Sequence, residues 1–187
     1  MRLFLAINLT PLVRREVSAA TAVLRQSAPT ASWVDESRLH LTLKFLGEQG
    51  ESRVDDLQAA AARVAGRHRE LMMALGGIGA FPNFRRARVV WMGIEQEARL
   101  ELLHHDVEVE FEKLGIGVEG RPFRPHLTLA RVKHPLTDDE VRALSRAARE
   151  TDYRTDFIVR SIDLMRSDPT AAGPAYTTLV SAALRSG

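Results

Sequence analysis

Apolar and polar positions change their period several times along this chain, and each change marks an element. Residues 2–8 carry a short apolar run, Leu3 to Ile7, between Arg2 and Asn8, which predicts a strand entering the core. Thr10-Pro11 then offers an N-cap followed by proline at the first helical position. Leu12, Val13, Val17, Ala20, Val23 and Leu24 fall on one face of a helix reaching about Gln26, and Pro29 ends it. A short strand is expected near residues 32–34, and strong alternation predicts another over 39–46. Ser52-x-x-Asp55 has the form of a capping box for a second helix, with Val54, Leu57, Ala61, Val64 and Ala65 as its stripe. Residues 71–75 and 87–94 read as strands around a Gly- and Pro-containing loop, 76–84. A helix over 96–114 stopped by Gly115, a strand over 126–132, and a helix opened by the capping box Thr137-x-x-Glu140 and reaching about Glu150 come next. The tail reads as two strands, 154–166 and 175–184.

Strands and helices are mixed rather than strictly alternating, so the expected class is α+β with mostly antiparallel sheet. No low-complexity linker divides the chain, and one domain over 1–187 is expected, built of two lobes. Composition agrees: 187 residues, 45% hydrophobic and 27% charged, describe an ordinary soluble globular protein. The absence of cysteine excludes disulfides, a thiolate nucleophile and Cys-ligated metal. The apolar run at the N-terminus is too short for a signal peptide, and no stretch approaches the roughly 20 apolar residues of a membrane span. A cytoplasmic protein with no membrane partner is expected. Net charge is only +2, which argues against wrapping a long duplex yet leaves room for a local basic patch at a nucleic-acid end.

One tetrapeptide occurs twice: His40-Leu41-Thr42-Leu43 and His126-Leu127-Thr128-Leu129. Each copy lies in a strand-like run. Side chains at i and i+2 share a face of a strand, so the leucines can anchor in a core while His and Thr line a cleft. A lone His-x-Thr in a strand is usually structural, and a duplication that kept only core residues would have preserved the leucines alone. Here the polar faces match as well as the apolar ones. The pair predicts two similar lobes facing across a groove, and acid/base phosphoryl transfer within it. One neutral imidazole takes a proton from water while the other, as imidazolium, protonates a leaving ribose oxygen. A side chain with a pKa of about 6.5 serves in both roles near neutrality. The threonine hydroxyls would donate to phosphate oxygens.

This doubled pattern resembles the two-histidine phosphoesterases, and more closely their RNA 2′,3′-cyclic phosphodiesterases, also called 2′-5′ RNA ligases. The resemblance extends over nearly the whole chain through MRLFLAINL, HLTLKFLGE, GGIGAFPNFRRARVVWMGIE and FRPHLTLARV. It implies a bilobal α+β fold with outer helices around a central groove. It also implies metal-free, cofactor-free hydrolysis of terminal RNA 2′,3′-cyclic phosphates to 2′-phosphates. The expected partners are RNA ends with such a phosphate or small cyclic nucleotides, and the sequence leaves open whether the latter are cleaved. The resemblance makes His40 the proton donor and His126 the acceptor, with Thr42 and Thr128 on the phosphate. It nominates Arg131 as a further phosphate contact. The strand period places Arg131 on the face opposite His126 unless the strand bulges. That period likewise puts Lys44 beside His40 and Thr42, as a weaker phosphate contact, and Phe45 in the core.

Other signals are weaker. Arg85, Arg86 and Arg88, with Phe81 and Phe84, have the mixture of charge and aromatic faces that suits single strands, although a solvated loop is the simpler reading. Arg121 and Arg124 approach the second motif. Gly115-x-Gly117-x-x-Gly120 precedes no helix and reads as a turn rather than a dinucleotide fingerprint. His104 and His105 are adjacent on a helix and His68 and His134 are isolated, so no metal site is expected. Beside hydrolysis stand the reverse 2′-5′ ligation in the same site, a catalytically silent RNA-end-binding module, and a metal-dependent phosphodiesterase. The last would need more ligands near the motifs. No protein partner is implied, and a monomer is expected.

Overall fold

The computed structural model describes residues 1–171 and 173–187. Nine strands form one sheet: β1 (Arg2–Asn8), β2 (Ser32–Trp33), β3 (His40–Glu48), β4 (Leu71–Phe81), β5 (Val89–Ile94), β6 (His126–Arg131), β7 (Arg154–Val159), β8 (Ser161–Thr170) and β9 (Gly173–Ala183). Five helices accompany them among the described residues: α1 (Pro11–Ala20), α2 (Ala22–Ser27), α3 (Val54–Ala65), α4 (Ala98–Glu112) and α5 (Asp138–Glu150). The order across the sheet is β7-β4-β5-β6-β3-β1-β8-β9, with β2 on β6, and every strand pairing is antiparallel. The class is α+β. Helices α3 and α4 pack on each other and on β8, β9 and β3, while α5 packs on α2 and β4.

The sheet must curl. Strands β7 and β8 are separated in sequence only by Arg160, yet they lie six places apart in the strand order. A flat sheet would hold them about 29 Å apart at about 4.8 Å per strand, and one residue advances the chain by only about 3.8 Å. Bending the two edges toward each other resolves the conflict. The Leu184 amide donates to the Arg160 carbonyl at 2.8 Å and Arg69 bridges Arg185, so the edges meet where the chain crosses.

This arrangement corrects the reading of the tail. The run 154–166 is two strands in opposite halves of the sheet, a switch that apolar alternation cannot reveal. The loop expected over 76–84 is mostly strand, because β4 continues through its glycines to Phe81. Gly79 lies under the Trp91 ring, where a Cβ would sit 2.1 Å from Trp91 Cζ2, and a Cβ on Gly93 would lie 2.7 Å from the Gly76 carbonyl oxygen. Gly79 and Gly93 are close-approach residues, whereas Gly77 has a positive φ of 72° with nothing within 4 Å of a Cβ, where the register of β4 with β5 shifts. Thr21 divides the first helix in two. The expected box at Ser52 does not form, since a short 3₁₀ turn over residues 51–53 leads into α3 without a side-chain cap. The Thr137–Glu140 box does form at the start of α5.

The order of strands reads alike from the centre outward. β3, β1, β8 and β9 on one side answer β6, β5, β4 and β7 on the other. The registers match too. Leu41 opposes Ile7 as Leu127 opposes Met92, and Thr42 opposes Ala6 as Thr128 opposes Trp91. Each strand then carries a β-bulge at the same place. Leu5 pairs with Lys44 and Val90 with Ala130, so Leu43 and Leu129 are the extra residues. An extra residue resets which face the later side chains of the strand occupy. Leu43 and Lys44 are both buried and Phe45 is exposed; Leu129 and Ala130 are both buried and Arg131 is exposed.

Candidate active site

The two copies of the tetrapeptide meet at the middle of the sheet. Strands β3 and β6 share one register pair, Leu41 with Leu127, both essentially inaccessible. Opposed residues of an antiparallel pair point to the same face, and their neighbours to the other. Both leucines therefore anchor in the core, and His40, Thr42, His126 and Thr128 share the opposite face. Extending the register by one residue sets His40 across from Thr128 and Thr42 across from His126. Beyond this pair β6 runs beside β2, with the Val34 amide donating to the Leu129 carbonyl at 2.8 Å, while β3 departs with β1. All four polar side chains are partly buried.

The imidazoles are held alike. His40 Nδ1 lies 2.7 Å from the Arg38 carbonyl and His126 Nδ1 lies 2.7 Å from the Arg124 carbonyl, in each case two residues back. A carbonyl only accepts, so Nδ1 carries the hydrogen and Nε2 is left as the working nitrogen. Edge-on aromatic rings support both: Tyr176 stands 5.2 Å from His40 at 87°, and Phe81 stands 5.2 Å from His126 at 83°. The surroundings differ otherwise. His40 Nε2 lies 3.1 Å from Thr42 Oγ1, and Phe4 packs 5.1 Å away on another side. Burial lowers the His40 pKa below the ordinary imidazole value, and the positive charges of Arg14 and Arg131 lower it further against the Arg38 carbonyl, which raises it.

Arg131, Lys44 and Phe45 do not lie where strand alternation puts them. The bulge at Leu129 brings Arg131 onto the histidine face, where its charge acts on His40. The bulge at Leu43 turns Lys44 into the interior. Its Nζ is 2.7 Å from Glu108 Oε2 and 2.8 Å from the Gly117 carbonyl, and Lys44 is 5% exposed. Lys44 thus forms a buried ion pair under the sheet and cannot reach a phosphate held by the histidines. Phe45, expected in the core, is exposed on the histidine side.

Several neighbours of the site carry no sequence signal of their own. Asn8 opposes His40 across β1 and β3, accepts from Arg14 at 2.9 Å and donates to Asp163 Oδ2 at 2.6 Å. Only the polar residue closing the apolar run 3–7 hinted at it. Phe4, Tyr176 and Phe81 reach the site through pairing that single-strand patterns do not encode. The side chains of Arg85, Arg86, Arg88, Arg121 and Arg124 are exposed. Away from the site, His68 Nε2 bonds Asp106 at 2.8 Å, and His104 stacks on Phe123 at 3.8 Å. Among the described residues no three His, Asp or Glu side chains converge as metal ligands. No helix among them is long and apolar enough to cross a membrane.

Two matching motifs on one curled antiparallel sheet, each presenting a histidine Nε2 and a threonine, define a class of protein by arrangement. The family model of the 2′-5′ RNA ligase superfamily matches residues 12–171, and the chain belongs to that superfamily. It is 32% identical to the RNA 2′,3′-cyclic phosphodiesterase of Methanothermobacter thermautotrophicus, over 96% of each chain. It is 33% identical to that of Archaeoglobus fulgidus, over 96% of this chain and 98% of the relative. A crystal structure from Thermus thermophilus superposes with a TM-score of 0.81 at 31% identity, covering 100% of this chain and 99% of that one. Escherichia coli LigT complexed with 3′-AMP superposes with a TM-score of 0.74 at 26% identity, covering 98% and 97%.

Proposed function

We propose that this protein is a hydrolase that opens 2′,3′-cyclic phosphates at RNA ends to 2′-phosphates, with His40 and His126 as its acid/base pair. The observation that carries this reading is the antiparallel meeting of two identical motifs, which turns both Nε2 atoms and both threonine hydroxyls to one face. The names of its relatives supply the substrate class, and the nucleotide bound in the LigT crystal structure accords with it.

The reaction is an in-line exchange at phosphorus. His126 Nε2 takes a proton from water as the water oxygen bonds to phosphorus. The bond from phosphorus to the ribose 3′ oxygen breaks, and His40 Nε2–H delivers a proton to that oxygen. The 2′ oxygen keeps the phosphate. Two proton-transfer groups on either side of one phosphorus are what such a displacement requires. Thr42, Thr128 and Arg131 hold the non-bridging oxygens as charge develops on them. Burial keeps His40 neutral more readily than an ordinary imidazole, a poor state for a donor. Binding an anionic phosphate between Arg14 and Arg131 offsets their charge at His40 and favours the imidazolium, so the acid forms when the substrate is present.

The test is direct. An RNA oligonucleotide ending in a 2′,3′-cyclic phosphate is incubated with the purified protein under excess chelator, and the product end is identified. A 2′-phosphate is expected. Tight binding without turnover would instead make the chain an end-binding module, and a 3′-phosphate product would reverse the leaving group.

A further inference from the structure

The same kind of bond holds each imidazole, but the two carbonyls that accept it are fixed differently. Arg38 closes a 3₁₀ turn over Glu36–Arg38, capped by Asp35, whose carboxylate accepts from the Ser37 amide at 2.9 Å. The Arg38 and Leu39 amides complete that turn on the Asp35 and Glu36 carbonyls at 2.9 and 3.2 Å. No such turn precedes His126. Residues 117–125 form neither helix nor strand, and among the described residues no backbone–backbone hydrogen bond fixes them. Their anchors lie under the sheet. The Gly117 carbonyl accepts from Lys44 Nζ at 2.8 Å, and the Glu119 amide donates to Glu108 Oε2 at 2.9 Å. The Phe123 ring stacks on His104, with ring centres 3.8 Å apart and planes 9° from parallel. His104 and Glu108 are one turn apart on α4, so one helix face meets the whole segment. His104 Nε2 stands 3.7 Å from Glu108 Oε1, a buried oxygen that accepts no hydrogen bond among the described residues. Burial lowers the His104 pKa in spite of Glu108, so the stacked ring is neutral near neutrality. Pro122 and Pro125 stiffen the last stretch. Proline fixes its own φ and keeps the residue before it extended, which leaves Arg124 little freedom between the Phe123 ring and His126.

We propose that His104 is a positioning residue for the reaction: its ring clamps Phe123 and, through the stiff stretch 122–125, sets the Arg124 carbonyl that keeps hydrogen on His126 Nδ1. The inference rests on the phosphodiesterase reading above, in which His126 Nε2 takes a proton from water. An Nε2 that already carries hydrogen cannot accept another. When the Arg124 carbonyl drifts from Nδ1, the other tautomer becomes populated, the ring loses its aim, and that fraction of the enzyme has no base. His104 does this from under the sheet, away from the substrate. On the first arm the capped turn at Asp35 fulfils the same task without help from a helix.

The experiment follows the ring nitrogens of His126 and His40 by nitrogen NMR at a pH above their titration, beside kcat and KM on an RNA end with a 2′,3′-cyclic phosphate. In the wild type both rings carry hydrogen on Nδ1. His104→Ala populates the Nε2–H form of His126 and lowers kcat about 10- to 100-fold, the cost of misplacing a reacting group by about 1 Å, with KM unchanged. His40, held through its own turn, keeps its tautomer in the same sample. His104→Phe keeps a flat ring against Phe123 and restores both the His126 tautomer and most of the rate. His104→Gln keeps a polar group beside Glu108 without a ring to stack, and restores neither. An unchanged His126 tautomer or an unchanged kcat in His104→Ala overturns the proposal. Equal disturbance of both histidines overturns it too, since that would be a general loosening of the fold. A wild type that does not hydrolyse the RNA end would strike the phosphodiesterase reading and the catalytic role of His104 with it. The ring measurement needs no turnover and so tells the two failures apart.

Discussion

Strands β3 and β6 begin with the same four residues and part company at the fifth. Through the tetrapeptide they correspond position by position: the same register across the ladder, though against different residues, the same carbonyl bond to Nδ1, the same bulge at the last leucine. After the bulge, HLTL-Lys44-Phe45 buries a charge and exposes a ring, whereas HLTL-Ala130-Arg131 buries a methyl and exposes a charge. The symmetric part is where the proposed symmetric task would lie, proton transfer on either side of phosphorus. The asymmetric part comes immediately after it, where a substrate with two different ends needs two different arms. A bulge suits that division because it changes the facing of the later residues in the strand and leaves the earlier ones undisturbed.

The largest expected effects fall in the shared region. His40→Ala and His126→Ala should each lower kcat by about 10²–10⁴-fold, the usual worth of a general acid or base. Because the two act in one step, the double variant should be little worse than the worse single one. Rates measured on a cyclic-phosphate RNA end settle this, and a single variant retaining half its turnover would deny that histidine its role.

The next effect is on stability, at the fifth position. Lys44 and Glu108 are 5% and 6% exposed, and Glu108 Oε2 also accepts from the Glu119 amide at 2.9 Å. Lys44→Met strands that carboxylate in the interior and should cost about 3–5 kcal/mol, the range for removing one partner of a buried pair. Lys44→Met with Glu108→Leu should recover most of the loss, since a well-packed apolar pair replaces both charges. Denaturant unfolding of the single and double variants reads both numbers. Equal destabilisation by the two would mean that the ion pair itself, rather than an orphaned charge, sets the cost. The Lys44–Glu108 and Lys44–Gly117 contacts also tie β3 to the segment approaching His126, so the single variant should lose turnover along with stability.

The threonines come third. Thr42→Val and Thr128→Val each remove a hydroxyl of nearly unchanged volume, and should lower kcat about 10- to 150-fold if each donates to a charged oxygen worth about 1.5–3 kcal/mol. The Thr42 hydroxyl lies 3.1 Å from His40 Nε2. Its loss should therefore also shift the pH profile, which Thr128→Val should leave in place. Matching profiles would erase this difference between the arms.

Much of this was legible in the chain. The α+β class, most helices, the Thr137–Glu140 box and the two-motif centre come from periodicity, caps and a repeated tetrapeptide. The illegible part depends on partners. Strand alternation assigned Lys44, Phe45 and Arg131 to the wrong faces because a bulge is a property of a pair of strands. The split of 154–166 at Arg160 is hidden because each half is a sound strand, and only the closing curl requires them to lie in different halves. The glycines at 76–79 look like a loop until Trp91 is laid across Gly79. In each case the local pattern was sound and a neighbour distant in sequence overrode it.

The smallest effect would settle which histidine gives the proton. His40 has its pKa lowered, first by burial and then by Arg14 and Arg131. With His40 as the donor, its titration in the free enzyme sets the alkaline limb of kcat/KM, whatever charge the substrate later induces. The protonated form is lost as pH rises through a value below the ordinary imidazole pKa of about 6.5, so the alkaline limb of the profile should fall early. Arg131→Gln removes one of the charges that disfavour imidazolium, so the His40 pKa should rise and the alkaline limb should move to higher pH. On the proposed role of Arg131 as a phosphate contact, KM should rise as well. Were His40 the base instead, the same substitution would move the acid limb, since that limb would then report the same titration. A shift of the acid limb alone would exchange the roles of His40 and His126 while leaving the pair intact, whereas two unmoved limbs would remove Arg131 from the neighbourhood of the reaction.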